Sequence, residues 1–336
     1  MSAAVVMRAY GAPEVLAWES VPTLPLGPRE VRIATVAAAV NHTDLEIRAG
    51  RWPLRRPAPF PYVPGVEVVG TVEAVGAAVG EWAPGQAVIT MMQGLGGVRA
   101  ERDGGHAERV TVDADALAAV PAGVDLVDMA AVGLGGVTAF AGLRRLGGLD
   151  GRRVLVTGAA GGVGSAAVAI ARALGATVTA LVARPEHADY VRALGADAVV
   201  VAPRGSVPAL APKSVDGVLE SVGGAAFPAC VAALRPGGTL SLVGAVGGGD
   251  VALDAWRLIE PLTLTGWSSE SLDGATLRAA IARLAGWLQT GAIRAPERRT
   301  FALRDAAAAH RFLEQGGVRG RVLLVAEAGG VAARRD

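Results

Sequence analysis

The residues with the most capacity for chemistry stand between positions 154 and 164. The apolar run Val154-Leu155-Val156 leads through Thr157 into Gly158-Ala159-Ala160-Gly161-Gly162-Val163-Gly164, and an apolar helical pattern continues to Leu174. A strand, a glycine-rich turn and a helix in that order bring backbone N–H groups and a helix N-terminus against a pyrophosphate. Ala159 takes the first position of the three-glycine fingerprint, with Gly161 and Gly164 in the other two. Gly161 is expected to let the pyrophosphate approach, and Gly164 to let the helix pack on the strand. Ala160, Gly162 and Val163 complete the expected contact surface. The implied chemistry is that of a dinucleotide-dependent enzyme.

Twenty residues after Gly164 the chain reads Leu181-Val182-Ala183-Arg184-Pro185-Glu186-His187. A site selective for NAD usually holds a carboxylate here to accept the ribose hydroxyls, yet none occurs between Leu174 and Pro185. Arg184 stands there instead, and a cation favours the 2′-phosphate of NADPH. Glu186 is either the displaced acid or a first-turn helix acid, and His187 is either a helper or an exposed helical residue. Gly223 and Gly244 fall at the carboxyl ends of predicted strands, where ligands of open α/β sheets bind. Each is either nicotinamide-side lining or a strand-end turn. Gln93 opens an irregular stretch running to Gly105 and is a candidate donor to a carbonyl. Asp44 is either a group that orients a water or the ribose, or a first-turn acid.

The elements around these residues divide into two textures. The first 120 or so residues are β-rich: strands are predicted over 31–36, 66–75, 87–90 and 109–112, separated by many Pro and Gly turn signals. Short, heavily punctuated strands predict a compact barrel-like unit. After about Leu126 the chain alternates. A buried helix is predicted over 129–143, then strands near 153, at 177–182, 198–201, 217–220 and 239–243, with helical material between them. That rhythm predicts a doubly wound parallel sheet, an α/β architecture. A further strand is expected over 262–267, helices over 272–288 and 306–314, and a closing strand over 321–325. The expected divisions are 1–125, 126–266 and a C-terminal return over 267–328, with a flexible tail at 329–336.

Composition narrows the field. The 336 residues are 51% hydrophobic with a formal net charge of +1, ample for two cores and too balanced for a nucleic-acid binder. Cys230 is the only cysteine, so neither an intrachain disulfide nor a multi-cysteine metal site can form. No signal-peptide pattern opens the chain, and a cytoplasmic setting without membrane attachment is expected.

Several blocks, weak singly, together resemble the medium-chain dehydrogenase/reductase superfamily, in its zinc-free quinone oxidoreductase-like branch. They are Ala39-Val40-Asn41-His42-Thr43-Asp44, Pro64-Gly65-Val66-Glu67-Val68-Val69-Gly70, Gly76 with Val79-Gly80 and Pro84-Gly85-Gln86-Ala87-Val88, Gly104-Gly105-His106-Ala107-Glu108, Gly136-Val137-Thr138-Ala139, and the close Gly317 with Arg321-Val322-Leu323. The resemblance implies a GroES-like catalytic domain completed by C-terminal residues, an inserted Rossmann domain, and an active site in the cleft between them. Zinc-dependent relatives carry a cysteine at Asn41 and a histidine at Val66, so no metal site is expected. The implied reaction is hydride transfer from NADPH to a quinone or an α,β-unsaturated carbonyl, with ketone or aldehyde reduction and a non-catalytic cofactor-binding protein as rivals.

The resemblance makes Asn41 the first candidate for a polar group beside nicotinamide or substrate, against a bland role as the cap of a helix starting at Thr43. Thr138 resembles a threonine that contacts cofactor, against a helix cap. Trp52 stands where many relatives have a tyrosine and would cover the acceptor without tyrosine's acidity. A small, uncharged acceptor is expected, because no arginine pair offers an evident carboxylate clamp. The segment near 263–267 resembles the edge strand through which relatives form homodimers.

Overall fold

The computed structural model describes residues 1–52, 60–92, 95 and 102–327. The chain divides into two compact units, Met1–Gly133 with Glu270–Gln289 and Glu297–Asp336, and Leu134–Ser269 with Thr290–Pro296.

The first unit is built on a mixed sheet. Its strands are β3 (Glu30–Val40), β4 (Glu67–Val75), β5 (Ala87–Met91), β6 (Arg109–Asp113), β7 (Ala118–Ala119), β14 (Arg298–Ala302) and β15 (Arg321–Val325), in the order β14-β15-β3-β4-β5-β7, with β6 also paired to β3. A hairpin of β1 (Ser2–Val6) and β2 (Ala17–Val21) lies outside this sheet. Alternation explains the core: Val31, Ile33, Val68, Val72, Val110 and Val112 are buried, while their neighbours Arg32, Glu73 and Thr111 are not. The closing strand β15 runs antiparallel to β3, with Val322 opposite Val40 and Leu324 opposite Ala38. Residues nearly 300 positions apart therefore share one sheet, and the end of β3 meets the start of β15. Helix α1 (His42–Arg48) follows β3 directly, starting one residue earlier than the sequence suggests.

The second unit carries a six-stranded sheet. Its strands are β8 (Arg153–Val156), β9 (Thr177–Val182), β10 (Ala198–Val201), β11 (Val215–Glu220), β12 (Leu234–Leu242) and β13 (Thr263–Gly266), ordered β10-β9-β8-β11-β12-β13. Every pairing is parallel. The order reverses between β8 and β11, which makes their carboxyl ends the switch point of a doubly wound fold. Helices α3 (Gly162–Ala173), α4 (Ala188–Ala193) and α5 (Phe227–Ala233) connect the strands. A core of Leu155, Leu181, Val218, Phe227, Cys230, Val231, Leu234 and Leu240 closes one face. Cys230 is a free, buried thiol; burial first and then Glu220 push its pKa up, so it is an inert core residue.

Helix α2 (Leu126–Arg144) is broken at Gly133, whose φ of 24° and ψ of −131° are not helical. The two units divide at this residue. By length and composition α2 matches a membrane span, but most of it is buried inside the protein, as a core helix is. The remaining helices are α6 (Gly274–Gln289) and α7 (Ala306–Gln315). Residues 290–296 belong to the second unit, a detour within the segment the sequence assigns wholly to the C-terminal return. The expected tail at 329–336 lies outside the described residues.

Candidate active site

In the second unit, the turn after β8 forms a cradle. Gly158 adopts a left-handed φ of 57°, and Ala159 N–H donates to Leu181 C=O at 3.0 Å, tying the loop to β9. The first regular bond of α3 runs from Ser165 N–H to Gly161 C=O at 2.8 Å. The amides of Gly162, Val163 and Gly164 are therefore left for a partner beyond the helix, as at any helix start.

The glycines separate by cause. A Cβ on Gly164 would lie 2.2 Å from Gly158 O and 2.6 Å from Ala159 Cα, so close packing of helix on turn demands glycine there. A Cβ on Gly161 would meet only Gly158 O, at 3.4 Å. Nothing among the described residues requires Gly161 to be bare, so the turn leaves room for a pyrophosphate against it. The cradle fits a dinucleotide on that ground.

The switch point is stitched by polar groups that sequence reasoning left without a role. Buried Thr157 donates its hydroxyl to Glu220 Oε1 at 2.9 Å and accepts from Ser221 N–H at 2.9 Å. The same carboxylate oxygen takes N–H bonds from Val222 (2.6 Å) and Gly223 (2.9 Å). Gly223 has a φ of 70°, and its Cβ would lie 2.4 Å from Gly248 O, so loop packing accounts for this glycine. A Cβ on Gly244 would lie 3.1 Å from Ser221 O, a tight approach between the strand-end loops. Thr138 is buried inside α2, five residues past the break, so it caps nothing.

Arg184 follows β9 and is half exposed, with Nη1 3.6 Å from Glu186 Oε1. Glu186 is pulled below the ordinary carboxylate range by backbone hydrogen bonding, then by Arg184 and His187. It is a first-turn acid. His187 is buried, which sets aside its reading as an exposed helical residue.

In the first unit, Asn41 sits between β3 and α1. Its backbone N–H donates to Asp44 Oδ2 at 2.8 Å, and Val66 N–H donates to Asp44 Oδ1 at 3.0 Å. Asp44 is fully buried; burial pushes its pKa up, while His106 and these N–H groups pull it back down. Both its oxygens accept from backbone N–H groups, so it braces the loop. The Asn41 side chain meets a buried ion pair that the sequence reading did not foresee. Arg321 donates through Nη1 to Asn41 Oδ1 (2.9 Å) and through Nη2 to Glu67 Oε2 (2.5 Å), while Asn41 Nδ2 donates to Glu67 Oε2 (3.2 Å). Glu67 and Arg321 lie within blocks visible in the sequence, but 254 residues separate them and nothing local announces their contact.

Of the other candidates, Trp52 is half-buried, with its backbone N–H donating to Glu46 C=O at 3.1 Å. Gln93 lies outside the described residues. Leu95, in the irregular stretch after Gln93, is buried and belongs to the core. His106 is fully buried, with Nε2 3.3 Å from Ala39 O and its ring edge-on to His310, so packing accounts for it.

The residues present do not fit a catalytic zinc. Asn41 has its amide committed to Arg321 and Glu67, and Val66 is a buried hydrocarbon. Among the described residues no three His, Cys, Asp or Glu side chains group so as to hold a metal ion.

Two family models match the chain: the alcohol dehydrogenase GroES-like domain over residues 27–122 and the zinc-binding dehydrogenase domain over residues 162–285. The 2-haloacrylate reductase of a Burkholderia species is 31% identical, across 98% of this chain and 100% of its own length. The quinone oxidoreductase of Pseudomonas aeruginosa is 30% identical, across 97% and 100%. The yhdH oxidoreductase of Salmonella enterica, solved in complex with NADP, superposes with a TM-score of 0.81 at 27% identity, covering 96% of this chain and 99% of that one. The GroES-like and parallel-sheet units, the glycine cradle and these relatives together place the chain in the medium-chain dehydrogenase/reductase superfamily, in its quinone oxidoreductase-like branch.

Proposed function

We propose that the protein is an NADPH-dependent, zinc-independent oxidoreductase that reduces a quinone or the activated double bond of an α,β-unsaturated carbonyl. The observation that carries this reading is the pair Asn41 and Val66. A hydrogen-bonding amide and a hydrocarbon stand where a zinc enzyme needs two ligands, which removes the Lewis acid that alkoxide chemistry uses. Reduction of an acceptor already polarised by conjugation needs only hydrogen-bond donors for the charge that collects on its oxygen.

NADPH, when bound, supplies the hydride. The chain's part is to hold it and to meet the acceptor. The amides of Gly162, Val163 and Gly164 receive the pyrophosphate, Gly161 leaves it room, and Arg184 pairs with the 2′-phosphate. Thr138, Gly223 and Gly244 line the nicotinamide side. Asn41 Nδ2 is the donor toward the acceptor oxygen, and Trp52 covers the acceptor. Indole is no proton donor of tyrosine's kind, so the proton for the α-carbon comes from solvent or a ribose hydroxyl.

The acceptor is uncharged in this reading. Of the loop arginines able to clamp an anion, Arg51 is held instead by Glu46 through two bonds of 2.7 and 2.8 Å, and Arg55 and Arg56 lie outside the described residues. The relative named for 2-haloacrylate favours a small acid instead, so both classes belong in one test. NADPH oxidation should be followed with 1,4-benzoquinones, 2-alkenals, cyclic enones, 2-chloroacrylate and crotonyl-coenzyme A at matched concentrations. Faster turnover of a quinone or enone is expected; preference for the acid or the thioester contradicts the uncharged acceptor, and no turnover of any contradicts the enzyme.

The working form is a homodimer in the cytoplasm. β13 is the terminal strand of its sheet, and near it Trp256 (77% exposed) and Ile259 (72%) present an apolar surface to solvent. Sedimentation showing a monomer at micromolar concentration would exclude the dimer. With a net charge of +1 and a mostly buried α2, no nucleic-acid or membrane partner is invoked, and cell fractionation should leave the protein in the soluble fraction.

A further inference from the structure

We propose that Glu67 and Arg321 are positioning residues that fix the orientation of the Asn41 carboxamide. The proposal rests on the reading of Asn41 as the donor that faces the acceptor.

Three adjacent strands bring the groups together. Val322 of β15 lies opposite Val40 of β3, so Arg321 at the start of β15 meets Asn41 at the end of β3. β4 pairs with the other side of β3 and starts at Glu67. All three side chains are buried, with 0% exposure for Glu67, 5% for Arg321 and 8% for Asn41.

Chemistry, rather than packing, then sets the amide. A guanidinium has only donors, and a carboxylate paired with it has only acceptors. Arg321 must therefore face Asn41 Oδ1, and Glu67 must face Nδ2, as the 2.9 and 3.2 Å bonds show. A flipped amide would set N–H against guanidinium and C=O against carboxylate. Arg321 also draws electron density through Oδ1, which strengthens the Nδ2 edge as a donor. With Asn41 N–H held by Asp44, both backbone and side chain are fixed.

Two observations argue that this ion pair is not there for stability. A buried pair costs desolvation that an apolar replacement of similar volume avoids, so such pairs are weak stabilisers. The backbone is also shaped around the carboxylate: a Cβ on Gly133 would lie 1.6 Å from Glu67 Oε1. Glycine at this position therefore leaves the chain bare where Glu67 sits.

The test uses Asn41→Ala, Glu67→Gln, Arg321→Lys and the apolar double variant Glu67→Leu/Arg321→Met, each in the full chain. The readouts are melting temperature, NADPH dissociation constant, and separate kcat and KM for an enone. Asn41→Ala should lower kcat. Glu67→Gln and the double variant should lower it about tenfold or more, with NADPH affinity unchanged. Arg321→Lys, which keeps the charge but not the fork, should remain slow. Combining Glu67→Gln with Asn41→Ala should add little to the loss from Asn41→Ala alone. Slow Asn41→Ala with a Glu67→Gln variant at wild-type kcat overturns the positioning role and leaves the function standing. Wild-type kcat in Asn41→Ala overturns the assignment of Asn41 itself, and this inference with it. Should the double variant fail to fold, Glu67→Gln, which keeps the side-chain volume, decides alone.

Discussion

Val66 and Asp44 are joined by a 3.0 Å hydrogen bond from the Val66 backbone N–H to Asp44 Oδ1, and the second oxygen of the same carboxylate holds Asn41 N–H. A buried acid thus ties together the two positions at which zinc-dependent relatives carry metal ligands. These two bonds brace the loop from within. Glu67 and Arg321 in turn hold the Asn41 amide, the arrangement on which the proposed reduction of a polarised acceptor rests.

The two glycines of the cradle should fail differently. Gly164→Ala forces a Cβ to within 2.2 Å of Gly158 O and should cost about 1–3 kcal/mol of stability, lowering the melting temperature. Gly161→Ala meets nothing closer than 3.4 Å and should melt within a few degrees of the parent, yet bind NADPH about tenfold or more weakly. Calorimetry and fluorescence titration of both variants separate packing from cofactor contact. Normal affinity in Gly161→Ala would mean that the pyrophosphate does not lie there.

Cofactor preference should depend on the balance of Arg184 and Glu186, whose charged groups are 3.6 Å apart and exposed. Arg184→Ala should weaken NADPH binding about tenfold and leave NADH nearly unchanged. Glu186→Gln removes the competing carboxylate and should tighten NADPH modestly. Titration of both nucleotides against both variants decides this; equal affinity for the two in the parent contradicts it.

The sequence shows the cofactor unit more fully than the acceptor site, for a physical reason. The β8–α3 turn is a local device: strand, glycines and helix are contiguous, and β9 and β10 occupy the ranges their β-branched runs predict. The β1–β2 hairpin and β14 escape notice because Ser2–Val6 includes small alanines and Arg298–Ala302 is largely polar. The helical material expected between the strands at 177–182 and 198–201 resolves into a short 3-10 turn, opened by Pro185, followed by α4. The Asn41–Glu67–Arg321 triangle escapes entirely, because its members meet only through strand pairing across the chain. Gly133 is hidden in an apolar run whose composition reads as unbroken helix, and only the fold puts the Glu67 carboxylate where a Cβ there would lie.

Acid should unfold the protein in part through His310. Burial first, then the neighbouring His106 and Arg48, hold its pKa well below the ordinary histidine value. Arg48 donates toward His310 Nδ1 at 3.4 Å and to Glu314, so the cation beside the ring is partly balanced. The unfolded chain takes up a proton near pH 6.5 and the folded chain does so only well below it. Stability from the neutral ring is thus fully present above about pH 6.5 and is lost as pH falls below it, by up to about 1.4 kcal/mol per pH unit. Denaturation curves from pH 7.5 to 5 should therefore show a shallower decline for His310→Gln than for the parent. Parallel declines would remove His310 from the account.

The most direct measurement follows the hydride. NADPH deuterated at C4 on the transferred face should be incubated with a cyclic enone, using enzyme dialysed against EDTA until it holds less than about 0.1 zinc per chain. Mass spectrometry and NMR then locate the label in the product. The account predicts a saturated ketone carrying deuterium at the former β-carbon, at a rate that dialysis does not change. An allylic alcohol labelled at the carbonyl carbon, or turnover restored only by added zinc, would contradict it.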